Sequence, residues 1–295
     1  MNNAPEEKII DNWKEFCSFC NEMQGYTSGS TDTWIFRGHR NVCWKLMSSL
    51  YREIKERKID PSKIYEIEKQ LLDKFLQEWF PRMGMDSYIR NSLLFQIFSI
   101  MQQYGIRTRM LDWTQSWIVA AYFATEEREA NDDEKDAAIW CINATQIEKC
   151  FRNSCKEYDI RKKYRLDMIK PCLDIMDERN CPVRQICNNK IQCNAIFFKD
   201  ISSSSADVRM IIQASIFTYC HNPLADHKES ITKILADDTY KYCKKIIIPK
   251  SSNGIFREEL EKRLKSADEI LFPCISQKEN QGILDSVMSE YQNKK

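Results

Sequence analysis

The sequence predicts an α+β fold, a single compact domain over residues 1–295 whose largely helical first third packs around a mixed sheet. Three observations predict it. Apolar residues recur at helical spacing in long windows before residue 127, short β-branched and aromatic runs follow from residue 137 onward, and no repeat or low-complexity linker divides the two. A chain of 295 residues with 43% hydrophobic and 11% aromatic side chains can bury a sizeable core and is not composed like a disordered one.

The elements follow in order. Residues 5–24 read as one helix, with Ile9, Ile10, Trp13, Phe16, Cys17 and Cys20 on its apolar stripe, and a polar loop from Gly25 to Thr33 ends it. Trp34-Ile-Phe-Arg-Gly38 reads as a short strand stopped by glycine. From Ser62 to Phe80, Ile64, Ile67, Leu71, Leu72, Phe75 and Leu76 mark an amphipathic helix with Pro81 beyond its end. A second helix is expected over 86–104, with Gly105 suited to its C-terminal cap. Residues 106–114 read as a connector into a buried helix, 116–127, where Trp117, Ala120, Ala121 and Phe123 leave almost no polar face. An acidic loop, 126–136, precedes the strand Ala137–Ile142. Strand-like runs return at 195–198, 210–217 and 243–248, and helical patterns at 256–264 and near the C-terminus close the chain.

Charge and cysteine usage narrow the function classes. Lys+Arg at 44 against Asp+Glu at 43 gives a formal net charge of +1, so a nucleic-acid partner requires a local patch rather than a global field. One such patch exists, an insertion-like basic segment at about 149–195. Between 149 and 170 it interleaves Lys156, Arg161, Lys162, Lys163 and Arg165 with Tyr158 and Tyr164. It reads either as a solvated helix face or as a nucleic-acid contact in which cations meet phosphates and aromatics stack on bases. No run approaches the length of a membrane span and the N-terminus lacks the plan of a signal peptide, so a cytoplasmic protein without a membrane partner is expected. Thirteen cysteines, an odd number in a large chain, are expected as reduced thiols. Cys17-Ser-Phe-Cys20 has redox or half-zinc spacing, but both sulfurs lie on a core-facing stripe, and no metal site is predicted.

The strings Trp34-Ile-Phe-Arg-Gly-His39, Trp44-Lys-Leu-Met-Ser-Ser-Leu50, Gln103-Tyr-Gly-Ile-Arg-Thr-Arg-Met-Leu-Asp-Trp-Thr114 and Ala120-Ala-Tyr-Phe-Ala124 resemble the FRG domain family, named for its Phe-Arg-Gly strand. Arg209–Phe217 and Leu271-Phe-Pro273 are similar to later motifs of that family. The chain departs from the pattern at His39, where the family has Gln, at Gln103 for His, at Arg107 for Pro and at Ala214 for Gly. An aromatic-Arg-Gly strand is also similar to the first strand of ADP-ribosyltransferases. The resemblance thus implies an ADP-ribosyltransferase-like sheet, NAD as substrate, and a setting in bacterial or phage conflict, with an antitoxin or chaperone as a candidate protein partner.

The residues carry an argument beside the resemblance. The guanidinium of Arg37 is a rigid fork of donors that can grip a phosphate, and Gly38 beside it would let a ligand approach the backbone. Breaking a nicotinamide–ribose bond builds positive charge on the ribose, so such a site needs phosphate anchors, an acceptor group near the ribose and a stacking ring. Arg37 then anchors the pyrophosphate, Asp112 and Gln213 serve the ribose side as the catalytic set with Arg37, and Tyr104, Thr108 and Arg109 complete the cofactor contacts with Gly38. Arg109 and Asp112, three apart, would share a side of a helical turn. The competing reading makes Arg37 and Asp112 a buried ion pair that ties the strand to the connector. No glutamate matches the late-strand glutamate of such transferases, and Gln213 stands in the comparable stretch; Glu229 is the candidate substitute. The basic patch points to RNA or DNA as acceptor, with a protein acceptor and a non-catalytic nucleotide- or RNA-binding module as alternatives. A metal-dependent nuclease fits least, because the motifs offer one carboxylate where paired metals need several.

Overall fold

The structure, a computed structural model, describes residues 4–25, 29, 31–78, 94–126, 135–154, 196–200, 214–220, 222–264 and 278–292. Along the chain these form β1 (Glu6–Ile9), α1 (Trp13–Met23), β2 (Trp34–His39), α2 (Ser49–Glu56), α3 (Ile64–Glu78), α4 (Leu94–Gln103), β3 (Met110–Thr114) and α5 (Trp117–Thr125). There follow β4 (Ala137–Asn143), α6 (Ala144–Ser154), β5 (Ile196–Asp200), β6 (Ser215–Cys220), α7 (His227–Leu235), the single turn α8 (Thr239–Tyr242), β7 (Cys243–Ile248), α9 (Asn253–Leu264) and α10 (Lys278–Gln292). The class is α+β, as the sequence predicts: seven strands make one mixed sheet in the order β1-β7-β4-β2-β3-β6-β5. β1 runs parallel to β7 and every other neighbour is antiparallel. No helix among the described residues is long and apolar enough to cross a membrane.

The strand period of two explains where the core lies. In the interior strand β4 all seven residues are buried, so both of its faces are covered. Ala137, Ile139 and Cys141 meet Trp34 and Phe36 of β2 on one face, under a layer of Trp13, Phe16 and Cys20 from α1, Trp117, Ala120 and Ala124 from α5, and Phe256 from α9. On the opposite face Trp140 and Ile142 pack with Ile35 of β2, Leu111 and Trp113 of β3, Ile147 of α6, and Ile231 and Leu235 of α7. Three helices, α2, α3 and α10, form a flank beside the sheet, where Ile54, Leu71, Leu72, Val287 and Met288 are buried.

Two expectations are corrected and one element is added. The helix read over 5–24 is instead the strand β1 and the helix α1. Residues 6–9 pair with β7, Lys244 bonds Glu6 across the strands, and the Asn12 side chain caps α1 by accepting from the Glu15 amide at 2.8 Å. A tertiary partner late in the chain overrides local periodicity there. The 106–114 connector is largely a strand, paired with β6 from Met110↔Tyr219 to Thr114↔Ser215. The helix α2, read only as part of a motif, begins at a cap in which Ser48 accepts from the Tyr51 amide at 3.2 Å. Gly105, by contrast, takes the cap conformation expected of it, with φ 83°. Cys20 is buried and Cys17 half-buried against the core, both as free thiols, and burial pushes both thiols up.

Candidate functional site

Arg37 sits where the sheet opens. β2 pairs with β4 along its whole length, from Trp34↔Asn143 to His39↔Ala138, yet it meets β3 at Phe36↔Thr114 alone. Beyond that pair β2 and β3 part. Nη1 of Arg37 donates at 2.6 Å to the backbone carbonyl of Asp112, filling an acceptor position that a continued ladder would have used. The Asp112 carboxylate lies 3.9 Å from the same nitrogen and is half exposed, so the expected pairing of Arg37 with Asp112 is present without being buried. Oδ1 of Asp112 accepts from Gln102 Nε2 at 2.6 Å, which ties β3 to the end of α4.

The alternation of β2 puts Arg37 and His39 on the face opposite Phe36 and Gly38. Nε of Arg37 donates to Nε2 of His39 at 3.1 Å, and Nη2 has no hydrogen-bond partner among the described residues. These two side chains and Gly38 line a cleft of about 830 Å³, within the size range of small-molecule sites. One wall is the 43–47 turn and α2, with Trp44, Lys45, Tyr51, Arg52 and Glu56; the other is 222–233, with Asp226, Glu229 and Lys233.

Electrostatics mark the cleft as a place where cations crowd. Burial lowers the Arg37 pKa to about 10, partly offset by Asp112 and added to by Arg52. Burial and the neighbouring Arg107 lower that of Arg52, against the pull of Glu56, Asp112 and Glu53. Arg52 has no hydrogen bond or ion pair through its side chain among the described residues, so it bears on Arg37 as a like charge, with the carboxylates of Glu56, Asp112 and Glu53 as the nearby counter-charges. His39, 4% exposed, is held neutral by burial and by Arg37 and Arg52. His227 at the start of α7 is also buried, and burial together with Arg37 brings its pKa to about 3. Its Nδ1 meets the Thr218 hydroxyl at 2.9 Å, which accepts from Trp113 Nε1 at 2.9 Å, so α7 is fastened to β3 and β6 behind the cleft.

The predicted site residues divide. Arg37 and Gly38 border the cleft and Asp112 stands at the opening through Arg37. The reason given for Gly38 is corrected, because a Cβ there would lie 2.1 Å from the Ala120 carbonyl oxygen and 2.6 Å from the Ala124 nitrogen of α5. The missing side chain makes room for a helix. Arg109 is fully buried, bonded to the buried carboxylate of Glu68 and flanked by the rings of Tyr65 and Tyr219, which raises its pKa. Arg109 is turned to Glu68 in the core whereas Asp112 stands beside Arg37 at the opening, so the two do not act together as a helical turn would have allowed. Thr108 is buried and donates to Gln102 at 2.5 Å, and Tyr104 packs near Phe75; neither lines the cleft. Gln213 and the basic residues Lys156, Arg161, Lys162, Lys163 and Arg165 lie outside the described residues.

Sequence reasoning missed Arg52, Trp44 and Tyr51. A signal was there: Leu50 and Ile54 are buried at a spacing of four after the Ser48 cap, which turns Tyr51, Arg52 and Lys55 toward the cleft. Glu229, a candidate without a place in sequence, lines the same cleft as Arg37.

Residues 32–133 match the family model of the FRG domain. No curated protein and no solved structure matches the chain. The matched segment runs from β2 past α5 and supplies the floor and the α2 wall, whereas the 222–233 wall comes from outside it. Residues 32–133 are thus similar to the FRG domain, and their Phe36-Arg37-Gly38 strand lies at the floor of the cleft.

Proposed function

We propose that the cleft binds NAD and that the protein is an ADP-ribosyltransferase. The observation that carries the reading is the pair Arg37 and Arg52, two guanidiniums with donors left over in one cleft whose lining carries more cations than carboxylates. A pyrophosphate supplies the missing charge and accepts from both forks. Trp44 and Tyr51 offer flat faces for the rings of a dinucleotide on the same wall. Glu229, which lines the same cleft, is the carboxylate proposed for the ribose side.

In this mechanism the phosphates are held by Arg37 and Arg52, and the bond between ribose C1′ and the nicotinamide nitrogen breaks, with the bonding electrons leaving on nicotinamide. The cationic ribose is stabilised by the Glu229 carboxylate, which then takes the proton of the attacking acceptor hydroxyl or amine as the new bond to C1′ forms. Asp112 and Gln213 remain candidates for holding ribose hydroxyls. RNA or DNA is the proposed acceptor, resting on the basic run that includes Lys156 and Arg161. Such an activity would make the protein a toxin in bacterial or phage defence that needs an inhibitory partner.

The test is incubation with NAD labelled in its adenylate half together with total RNA, DNA or protein. Label transfer to nucleic acid with nicotinamide release supports the proposal. Tight NAD binding without release turns the reading to a nucleotide-binding module, and transfer to protein alone overturns the acceptor.

A further inference from the structure

We infer that His39 is a positioning residue for Arg37, a neutral acceptor that turns the guanidinium so that its unused donors face the phosphates of the ligand. The inference rests on the reading of the cleft as a pyrophosphate site and names a residue that this reading does not require.

The geometry leaves little freedom. Nε of Arg37 is a donor only, so Nε2 of His39, at 3.1 Å, must accept, and the neutral imidazole then carries its proton on Nδ1. The side chain of His39 is buried, and the Trp44 ring packs edge-on against it with ring centroids 6.0 Å apart, which fixes the plane of the acceptor. The charged groups that bear on this imidazole are Arg37 on its own strand, Arg52 from α2 and Lys245 from β7, all cations. A carboxylate here would satisfy Arg37 as an ion pair and cancel the charge on which anion binding depends. A neutral acceptor satisfies Nε and leaves the charge in place.

With Nε held by His39 and Nη1 bonded to the Asp112 carbonyl, the guanidinium plane is set at two points. The remaining donors are the second hydrogen of Nη1 and both of Nη2, the edge that a phosphate grips with two parallel bonds. Remove the acceptor, and the buried Nε–H must seek another partner, which rotates the fork away from the ligand.

Calorimetric titration with inorganic pyrophosphate and with ADP-ribose, on the full chain, tests the inference using wild type, Arg37→Ala, His39→Gln and His39→Leu. The wild type should bind, and Arg37→Ala should lose binding. His39→Leu, which keeps bulk without an acceptor, should weaken binding about tenfold, the size of one hydrogen bond to a charged group. His39→Gln, whose amide oxygen can accept, should stay within about threefold of wild type by the same reasoning. Equal affinity of His39→Leu and wild type overturns the inference, as does a loss in His39→Gln as large as in His39→Leu. If the wild type binds neither probe, or Arg37→Ala binds as well as wild type, the reading of the cleft itself fails. Should His39→Leu not fold, a proton–nitrogen spectrum of the wild type decides: an Nε2 of His39 without a proton and a slowly exchanging Arg37 Nε–H are expected. A protonated Nε2 contradicts the proposal.

Discussion

Replacing Gly38 by alanine should remove much of the stability of this protein through its packing against α5. The added Cβ would stand 2.1 Å from the Ala120 carbonyl oxygen, about 0.9 Å inside the 3.0 Å that real Cβ atoms keep. The obstacle is the backbone of α5, with the Ala124 nitrogen at 2.6 Å on the same side, so no side-chain rotation relieves it. The helix must move off β2, and Ala120, Ala124 and Trp117 all lose contact with the core layer of Trp13, Phe16 and Phe36. Overpacking of a well-filled core costs roughly 1–3 kcal/mol, and a gap of up to ~1 Å along one helix forfeits a further share of its dispersion contacts. A loss of about 3–5 kcal/mol follows, a large part of the 5–15 kcal/mol (roughly) that holds a typical domain. Urea denaturation of the variant followed by circular dichroism measures it. A variant within about 1 kcal/mol of wild type would refute the argument that this glycine exists for helix packing.

Arg52→Ala should lower NAD affinity about tenfold while leaving folding stability unchanged or slightly raised, because it removes a cation whose side chain has no hydrogen bond or ion pair among the described residues and which repels Arg37 and Arg107; paired titration and urea curves check both halves, and a clear loss of stability counts against a ligand role. Glu68→Gln should cost roughly 3–5 kcal/mol, since it removes the buried carboxylate to which the buried Arg109 guanidinium is bonded; a loss under about 1 kcal/mol in urea would show the pair to be dispensable. The pKa of His227 is lowered in the fold to about 3, so below the ordinary imidazole value near 6.5 the unfolded chain takes up a proton that the native state refuses. Stability from this residue is therefore full at neutral pH and falls between about pH 6.5 and 3. His227→Asn should flatten that acid limb in denaturation curves at pH 7 and pH 5, and an unchanged slope contradicts the assignment.

What was legible in the sequence was legible for local reasons. β2, β4, α5 and β7 declare themselves through composition and period within a few residues, and each is found close to its expected bounds. β1 is four residues, Glu-Glu-Lys-Ile, whose strand character comes from pairing with β7 more than 230 positions away, with Glu6 and Lys244 as cross-strand partners. The 109–114 segment misled because Arg109 and Asp112 look like a pair at helical spacing, whereas one faces Glu68 in the core and the other the opening beside Arg37. Arg37 could be singled out from its strand alone. The cleft could not, because its second wall, Asp226 to Lys233, is brought to β2 by α7, whose His227 is tied to Thr218 on β6, two strands away.

The most direct test of the NAD-site reading is nicotinamide release from NAD by wild type, Arg37→Ala and Glu229→Gln, with NAD affinity measured on the same samples. The account predicts that Arg37→Ala loses affinity, whereas Glu229→Gln keeps affinity within about threefold and loses about a hundredfold or more in turnover. Equal turnover by wild type and Glu229→Gln, or undiminished NAD affinity in Arg37→Ala, would contradict it.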